Sequence, residues 1–268
     1  HTQADAYNFI KTQQFPSIIK PTDASAGRGV RKISYVSEAI PAIDYAFSVS
    51  RSHSIVVEPF IDGPQYGFCT FLVNKKVVGY CSNNESSIVN PYRVELNTYP
   101  ADNFDRIKDE LTEQVEFLAE KLNLVDGIFH LQYIYDGAHA QIIEVMRRLL
   151  GNRYFVAGNK LTNCDWEYWE TRAKCGLSCA DFPKTQQIGY FSSKVILAPR
   201  NGIIESFDEI EMYKPYVYDS IIIRKVGDTI TDFSSQPIAI YYMAFSSFEQ
   251  MHHVLVESYR NDFVNMKE

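Results

Sequence analysis

The stretch "IFHLQYIYDGAHAQIIEVM", residues 128–146, constrains the fold most. Two runs rich in β-branched and aromatic residues flank Asp136-Gly137, a turn signal, so the stretch reads as a β-hairpin. If the hairpin closes about Ala138, Gln132 lies opposite Glu144 and His130 opposite Met146, all on one face by the period of two. A slip of one residue would undo this, because it carries every side chain to the other face. Glu144 sits inside an apolar run, and Arg147 and Arg148 follow just past it. An acid in such a run is costly unless something positive meets it. The arginines can do so as a structural ion pair, or a metal or a phosphate can complete the site.

The chain has 268 residues, enough for one large domain or two modest ones with ample core. Its net charge of -7 argues against nucleic acid or an anionic membrane surface as partner, though a local basic pocket remains open. No apolar run approaches the ~20 residues that span a bilayer, and "HTQADAYNF" has no signal-peptide pattern. Cys69, Cys81, Cys164, Cys175 and Cys179 lack a zinc spacing and read as free thiols of a reducing, cytoplasmic compartment.

Strands are expected at "FPSIIKP", "RKISYV" and "SIVVEPFI", and a hairpin at "YGFCTFLV" and "KVVGYCS" turning at Asn74-Lys75. "SEAIPAIDYAFSV" reads as a helix capped by Ser37. "NFDRIKDELTEQVEFLAEKLNL" is the clearest helix, with Phe104, Ile107, Leu111, Val115, Leu118 and Leu122 on one face. "NCDWEYWETRAKCGLSC" reads as helical. From Pro183 strand-like runs dominate ("IGYFSSKVILA", "GIIESF", "SIIIRKV", "IAIYYMAF"), and "SSFEQMHHVLVESYRNDFV" reads as a last helix. A soft boundary near Pro183 gives domains at 1–183 and 184–268.

Two further stretches carry chemistry. In "IIKPTDASAGRGV" a lysine at a strand end, Lys20, precedes a loop with Ser25, Gly27, Arg28 and Gly29. Glycines let backbone N–H groups approach an anion and the lysine adds a point charge. The loop is neither a P-loop nor a dinucleotide fingerprint, and by itself it also reads as a plain turn. In "VVEPFIDGPQYGF" a strand ends in an acid and an aromatic, Glu58 and Phe60, which can offer a carboxylate and backbone groups to an adenine edge. The bland reading of Glu58 is a solvent-facing acid. The bland reading of Arg93 is a surface arginine, and of Tyr92, His130 and Cys69 packed strand residues.

The order is a lysine strand with a Gly-rich loop, a Glu-x-Phe-Ile turn, a long helix, and a hairpin with an acid followed by arginine. From about Phe15 to Gly151 it resembles the ATP-grasp superfamily of carboxylate–amine ligases, of the phosphoribosylglycinamide synthetase and biotin carboxylase kind. The resemblance implies an α+β fold of two subdomains holding a nucleotide between them, with a small C-terminal β-rich piece and a final helix. It implies an ADP-forming ligase, with ATP and Mg2+, that activates a carboxylate as an acyl phosphate for an amine or thiol nucleophile. Lys20 would contact the phosphates under a loop from Ser25 to Gly29. Glu58, Phe60 and Ile61 would take the adenine, and Gln65 the ribose. Gln132 and Glu144 would hold metal. Arg148, and Arg147 beside it, would steady the transferring phosphoryl group. The partners implied are small-molecule carboxylates and amines. A separate N-terminal domain is expected, since such ligases carry a domain before the lysine strand, or else a homodimer.

The pattern departs from the family at three positions. Met146 stands at the asparagine, Arg147 at the proline and Gln132 at an acid. Magnesium prefers hard oxygen donors, so these departures keep open an ATP-binding module without ligase activity. An unrelated α+β domain with a structural Glu144–Arg148 pair is the third reading.

Overall fold

A computed structural model describes residues 2–151, 153–207, 213–256 and 264–267. The chain divides into two compact units, His1–Asp62 with Asn90–Val94, and Gly63–Val89 with Glu95–Glu268. The expected boundary at 183 therefore runs inside the second unit.

Unit 1 begins with helix α1 (Gln3–Ile10), where Thr2 accepts from the Asp5 N–H and Asp5 accepts from the Thr2 N–H. Strands β1 (Ser17–Pro21), β2 (Arg31–Ile33) and β3 (Ile55–Pro59) form an antiparallel sheet in the order β2-β1-β3. Ile19, Ile33, Ile55 and Val57 share one face by register and pack on α1 and on α2 (Ala39–Val49). Ser37 is not a cap, because a 3-10 turn over Val36–Glu38 leads into α2. The other face of the sheet carries Ile18, Lys20, Lys32, Val56 and Glu58.

Unit 2 holds an eight-stranded antiparallel sheet. Its strands are β4 (Gln65–Val73), β5 (Lys76–Ser86), β6 (Leu96–Tyr99), β7 (Gly127–Tyr135), β8 (Ala140–Met146), β9 (Tyr190–Leu197), β11 (Val217–Ile222) and β13 (Pro237–Phe245). Their order is β11-β13-β9-β6-β5-β4-β7-β8. The β4–β5 turn at Asn74-Lys75 has φ of 49° and 64°, the doubly positive geometry that suits a twisted hairpin. The short polar β6 lies in the middle of the sheet, where the sequence suggests only a connection. Helix α3 (Phe104–Lys121) covers one face through Phe104, Ile107, Leu111, Val115 and Ala119. Leu122 falls past the end of α3 and is 60% exposed, so Ala119 closes the stripe in its place. On the opposite face Cys69, Phe71, Cys81 and Ile128 pack with α4 (Phe155–Thr162) and α5 (Trp166–Lys174). The helix expected from Asn163 thus starts at Trp166, capped by Asp165, and α4 precedes it.

Strands β10 (Gly202–Phe207), β12 (Thr229–Ile230) and β14 (Val264–Lys267) form a small second sheet, which shares a core with helix α6 (Phe248–Val256). The expected last helix includes Val264, which instead begins β14, and its residues 257–263 lie outside the described ones. No helix among the described residues is long and apolar enough to cross a membrane.

Candidate functional site

In unit 1, Lys20 and Glu58 come together. Register sets Lys20 opposite Val56 and Glu58 opposite Ile18, so both side chains leave the same sheet face, and they form an ion pair. Glu58 is therefore not merely a solvent-facing acid. Lys32, on the same face from β2, holds its ammonium 3.8 Å from the centre of the Phe60 ring, a cation–π contact. The Phe60 N–H donates to the Pro16 carbonyl at 3.0 Å, so this donor is already engaged. Phe60 and Ile61 both lie just past the end of β3.

The Gly-rich loop is shaped by close approach. Ala26, Gly27 and Gly29 have φ of 58°, 71° and 77°. A Cβ on Gly27 would lie 2.6 Å from Tyr92 Cβ and 2.7 Å from the Tyr92 carbonyl oxygen, so both the backbone angle and the space call for glycine. The Tyr92 hydroxyl accepts from the Lys32 N–H at 2.8 Å. Arg93, expected at the surface, is buried. The Ser25 carbonyl accepts from the Arg28 N–H at 3.3 Å and from Arg28 Nε at 3.4 Å.

In unit 2 the register is as expected at the residues that matter: His130 pairs with Met146 and Gln132 with Glu144. A shift between Gln132 and Tyr133 then places Ile142 opposite Tyr133, so Ile143 is an extra, bulged residue. The premise about Glu144 needs correction. Glu144 lies on the edge strand and is exposed, so no burial cost demands a partner. Among the described residues it makes no ion pair with Arg147 or Arg148. Arg148 is exposed, with Nη1 donating to the Leu149 carbonyl at 2.8 Å. Arg147, expected beside it at the chemistry, is instead engaged with backbone. It donates to the carbonyls of Val125 (2.6 Å), Asp126 (3.3 Å), Gly127 (3.0 Å) and Ile128. These carbonyls lie where β8, which ends at Met146, no longer runs beside β7.

A residue the sequence reading passes over joins Gln132. Glu85, at the end of β5, accepts from Gln132 Nε2 at 2.6 Å and from Gln65 Nε2 at 2.7 Å on one oxygen. Asn83 Nδ2 lies 3.5 Å from the other oxygen. Gln65, expected at a ribose, thus belongs to this cluster. Gly67 on β4 stands between, paired with Asn83 on one side and Gln132 on the other. A Cβ there would come within 2.4 Å of Asn83 Oδ1 and 3.0 Å of Glu85 Oε1. The missing side chain is what lets Glu85 lean across β4 to Gln132. Burial pushes the Glu85 carboxyl up to about 7. The amides of Gln65, Asn83 and Gln132 pull it down, and the Glu144 charge adds to the rise. Asn83 is itself fixed by Tyr154, whose hydroxyl donates to it at 2.6 Å, and by Asn97 at 2.9 Å. The signal was present in "CSNNES", where polar residues at 83 and 85 continue the period of two from Cys81. The expected strand stopped at Ser82.

Glu85, Gln132 and Glu144 therefore form a row of oxygen-bearing side chains across three strands. The set suits a hard divalent cation that takes its remaining ligands from phosphate and water, and the thioether of Met146 does not. Among the described residues no group of three or more His, Cys, Asp or Glu could hold a metal unaided. All the cysteines are free thiols, with Cys175 exposed and the others buried.

Solved structures share this architecture. An L-amino acid ligase from Bacillus licheniformis superposes over 100% of this chain with a TM-score of 0.81 at 18% identity. The biotin carboxylase domain of a 2-oxoglutarate carboxylase from Hydrogenobacter thermophilus, in complex with MgADP and bicarbonate, superposes over 98% with a TM-score of 0.72 at 17% identity. The chain has the ATP-grasp fold. In sequence it is 24% identical over 154 residues to the carbamoyl phosphate synthase large chain of Clostridium acetobutylicum, a match covering 54% of this chain. It spans 66% of the ligase and 61% of the biotin carboxylase domain, and the match covers 14% of the synthase. No family model matches it.

Small residues and two glycines leave the loop Thr22–Gly29 few apolar anchors. Its amides should exchange quickly in the free protein and slow with an ATP analogue and magnesium. Equal hydrogen exchange in the two states would count against the phosphate-covering role expected of the loop.

Proposed function

We propose that this chain carries the nucleotide-binding and phosphoryl-transfer machinery of an ADP-forming ligase that joins a carboxylate to an amine or a thiol. The observation that supports it best is the Glu85–Gln132–Glu144 row on the sheet of an ATP-grasp fold, with Arg148 two residues past the end of the strand that carries Glu144. The pattern of the fold calls for two acids at 132 and 144. Here Glu144 keeps one, and Glu85 brings a second carboxylate to Gln132.

Lys20 and the loop from Ser25 through Gly27, Arg28 and Gly29 would hold the ATP phosphates. Glu58 and the backbone at Phe60 and Ile61 would hold the adenine. Glu144, with Gln132 and Glu85, would hold Mg2+, which when bound supplies positive charge to the phosphate oxygens. A substrate carboxylate oxygen attacks the γ-phosphorus and ADP leaves. The amine or thiol then attacks the acyl carbon, phosphate departs, and the nucleophile's proton is lost. Arg148 would stabilise charge on the transferring phosphoryl group, where preorganised charge matters most.

Gln132 and Met146 favour a second reading, an ATP-binding module that performs no ligation. The discriminating experiment mixes the protein with ATP, Mg2+ and a panel of amino and other carboxylic acids, with hydroxylamine as trapping nucleophile. Acid-dependent phosphate and hydroxamate formation supports the ligase. A nucleotide-dependent rise in melting temperature without turnover supports the module, and no melting shift at saturating nucleotide defeats both. A ligand at 100 times its Kd adds about 2.7 kcal/mol.

Lys20→Ala should weaken ATP binding by about 1.5–3 kcal/mol, the range for a hydrogen bond to a charged group. Unchanged affinity in a calorimetric titration would remove Lys20 from the site.

A further inference from the structure

The entry to β7 is held by side chains rather than by a strand. Met146, the last residue of β8, pairs with His130, so Gly127–Phe129 run on without a partner strand on that side. Buried backbone groups in such a place must find partners. Arg147 supplies the donors, its fork spanning the carbonyls of Val125, Asp126, Gly127 and Ile128. Glu170 of α5 supplies the acceptor. It is 3% exposed, and its Oε2 accepts from the Ile128 N–H at 2.7 Å. Lys174 closes the arrangement, 3.3 Å from Glu170 Oε1 and 3.5 Å from the Arg147 carbonyl oxygen. Gly127 leaves room for it: at φ 122° a Cβ would lie 2.8 Å from Glu170 Oε2.

This clamp grips one end of an edge strand. β8 has a sheet neighbour on one side only and carries a bulge at its middle. Glu144 lies three residues before Arg147, and Arg148 directly after it. We propose that Arg147, with Glu170, is a positioning residue that fixes the Glu144 end of β8 and the bend that carries Arg148, without touching the nucleotide. In its effect on ligand binding, the proposal rests on the metal and phosphate roles assigned above to Glu144 and Arg148. In its effect on the strand, it does not.

The test compares Arg147→Lys and Gly127→Ala with wild type in the intact chain. Lysine keeps the charge but cannot span the carbonyls as a planar fork. Alanine would set its Cβ 2.8 Å from Glu170 Oε2. In nucleotide-free protein, hydrogen exchange at Val145–Leu149 should rise at least tenfold in either variant, while β9 and β13 exchange as in wild type. In both variants the manganese–ADP complex, followed by calorimetry, should weaken about tenfold. Unchanged exchange at Val145–Leu149 in both variants would overturn the clamp. So would weakened manganese–ADP binding in Arg147→Lys with β8 exchange unaltered, which would make Arg147 a direct contact. If wild type itself fails to bind manganese–ADP, the proposed function falls and the exchange measurement still decides the clamp.

Discussion

Glu144→Gln should leave the protein folded and lower magnesium-dependent ATP turnover by at least about a hundredfold. Loss of a group that merely orients a metal ligand costs 10–100-fold, so loss of the carboxylate proposed to hold Mg2+ should cost no less. The structure separates this outcome from the competing one. Had Glu144 been half of a buried ion pair, removing it would destabilise the protein by about 3–5 kcal/mol. It is instead exposed, and Arg147 is committed to four backbone carbonyls. A surface change of this kind moves stability by about 0.5 kcal/mol or less. Urea unfolding and phosphate release on the same preparation make the check. A mutant that unfolds far more easily, or that keeps wild-type turnover with magnesium, would remove Glu144 from the metal site.

What the sequence made legible was local. The β7–β8 register could be read because Asp136-Gly137 fixes the turn and the strands alternate, and Gln132 does face Glu144. The bulge at Ile143 was invisible, since an extra residue leaves the same letters in the same order. Lys20 and Glu58 were each singled out, but their ion pair depends on β1 and β3 being neighbours although their paired positions, such as Pro21 and Ile55, lie far apart in sequence. Glu85 was missed because it reaches Gln132 from two strands away, over a glycine whose importance is a missing atom. Arg147 was misread for the same kind of reason. Its partners are backbone carbonyls, which no residue letter announces.

Those non-local contacts also decide how the site end of the sheet is built. Asn83 ties Glu85 to Tyr154 and Asn97, and Gln132 ties it to the strand of His130. The polar row thus grades within a few residues into a fully buried floor. One member of that floor is anomalous. Among the described residues neither ring nitrogen of His130 has a hydrogen-bond partner.

His130 should therefore make the protein sensitive to acid. Its ring lies 5.7 Å from that of Tyr154, and its register neighbours are Cys69 and Met146. Burial pushes the imidazole down to about 3, with the Arg148 charge adding to the shift. In the unfolded chain a histidine titrates near ~6.5. Above that pH both states are neutral and the group contributes nothing. Below it the unfolded chain takes up a proton that the folded one refuses, so stability falls by up to about 1.4 kcal/mol per pH unit until about pH 3. Glu85 acts with the opposite sign. Its raised value lets the folded state hold a proton between about 4.5 and 7, which adds stability as pH falls through that window. Comparison with His130→Leu cancels Glu85, because both proteins carry it. Leucine also removes two unpaired buried nitrogens, so at pH 7 the variant should be at least as stable as wild type. Urea unfolding at pH 7, 6, 5 and 4 should show the stability curves diverging below pH 6.5, the variant falling less steeply by up to about 1.4 kcal/mol per unit. Parallel curves would mean that the folded protein accepts the proton at His130, which requires a partner for the ring that the packing around it does not provide.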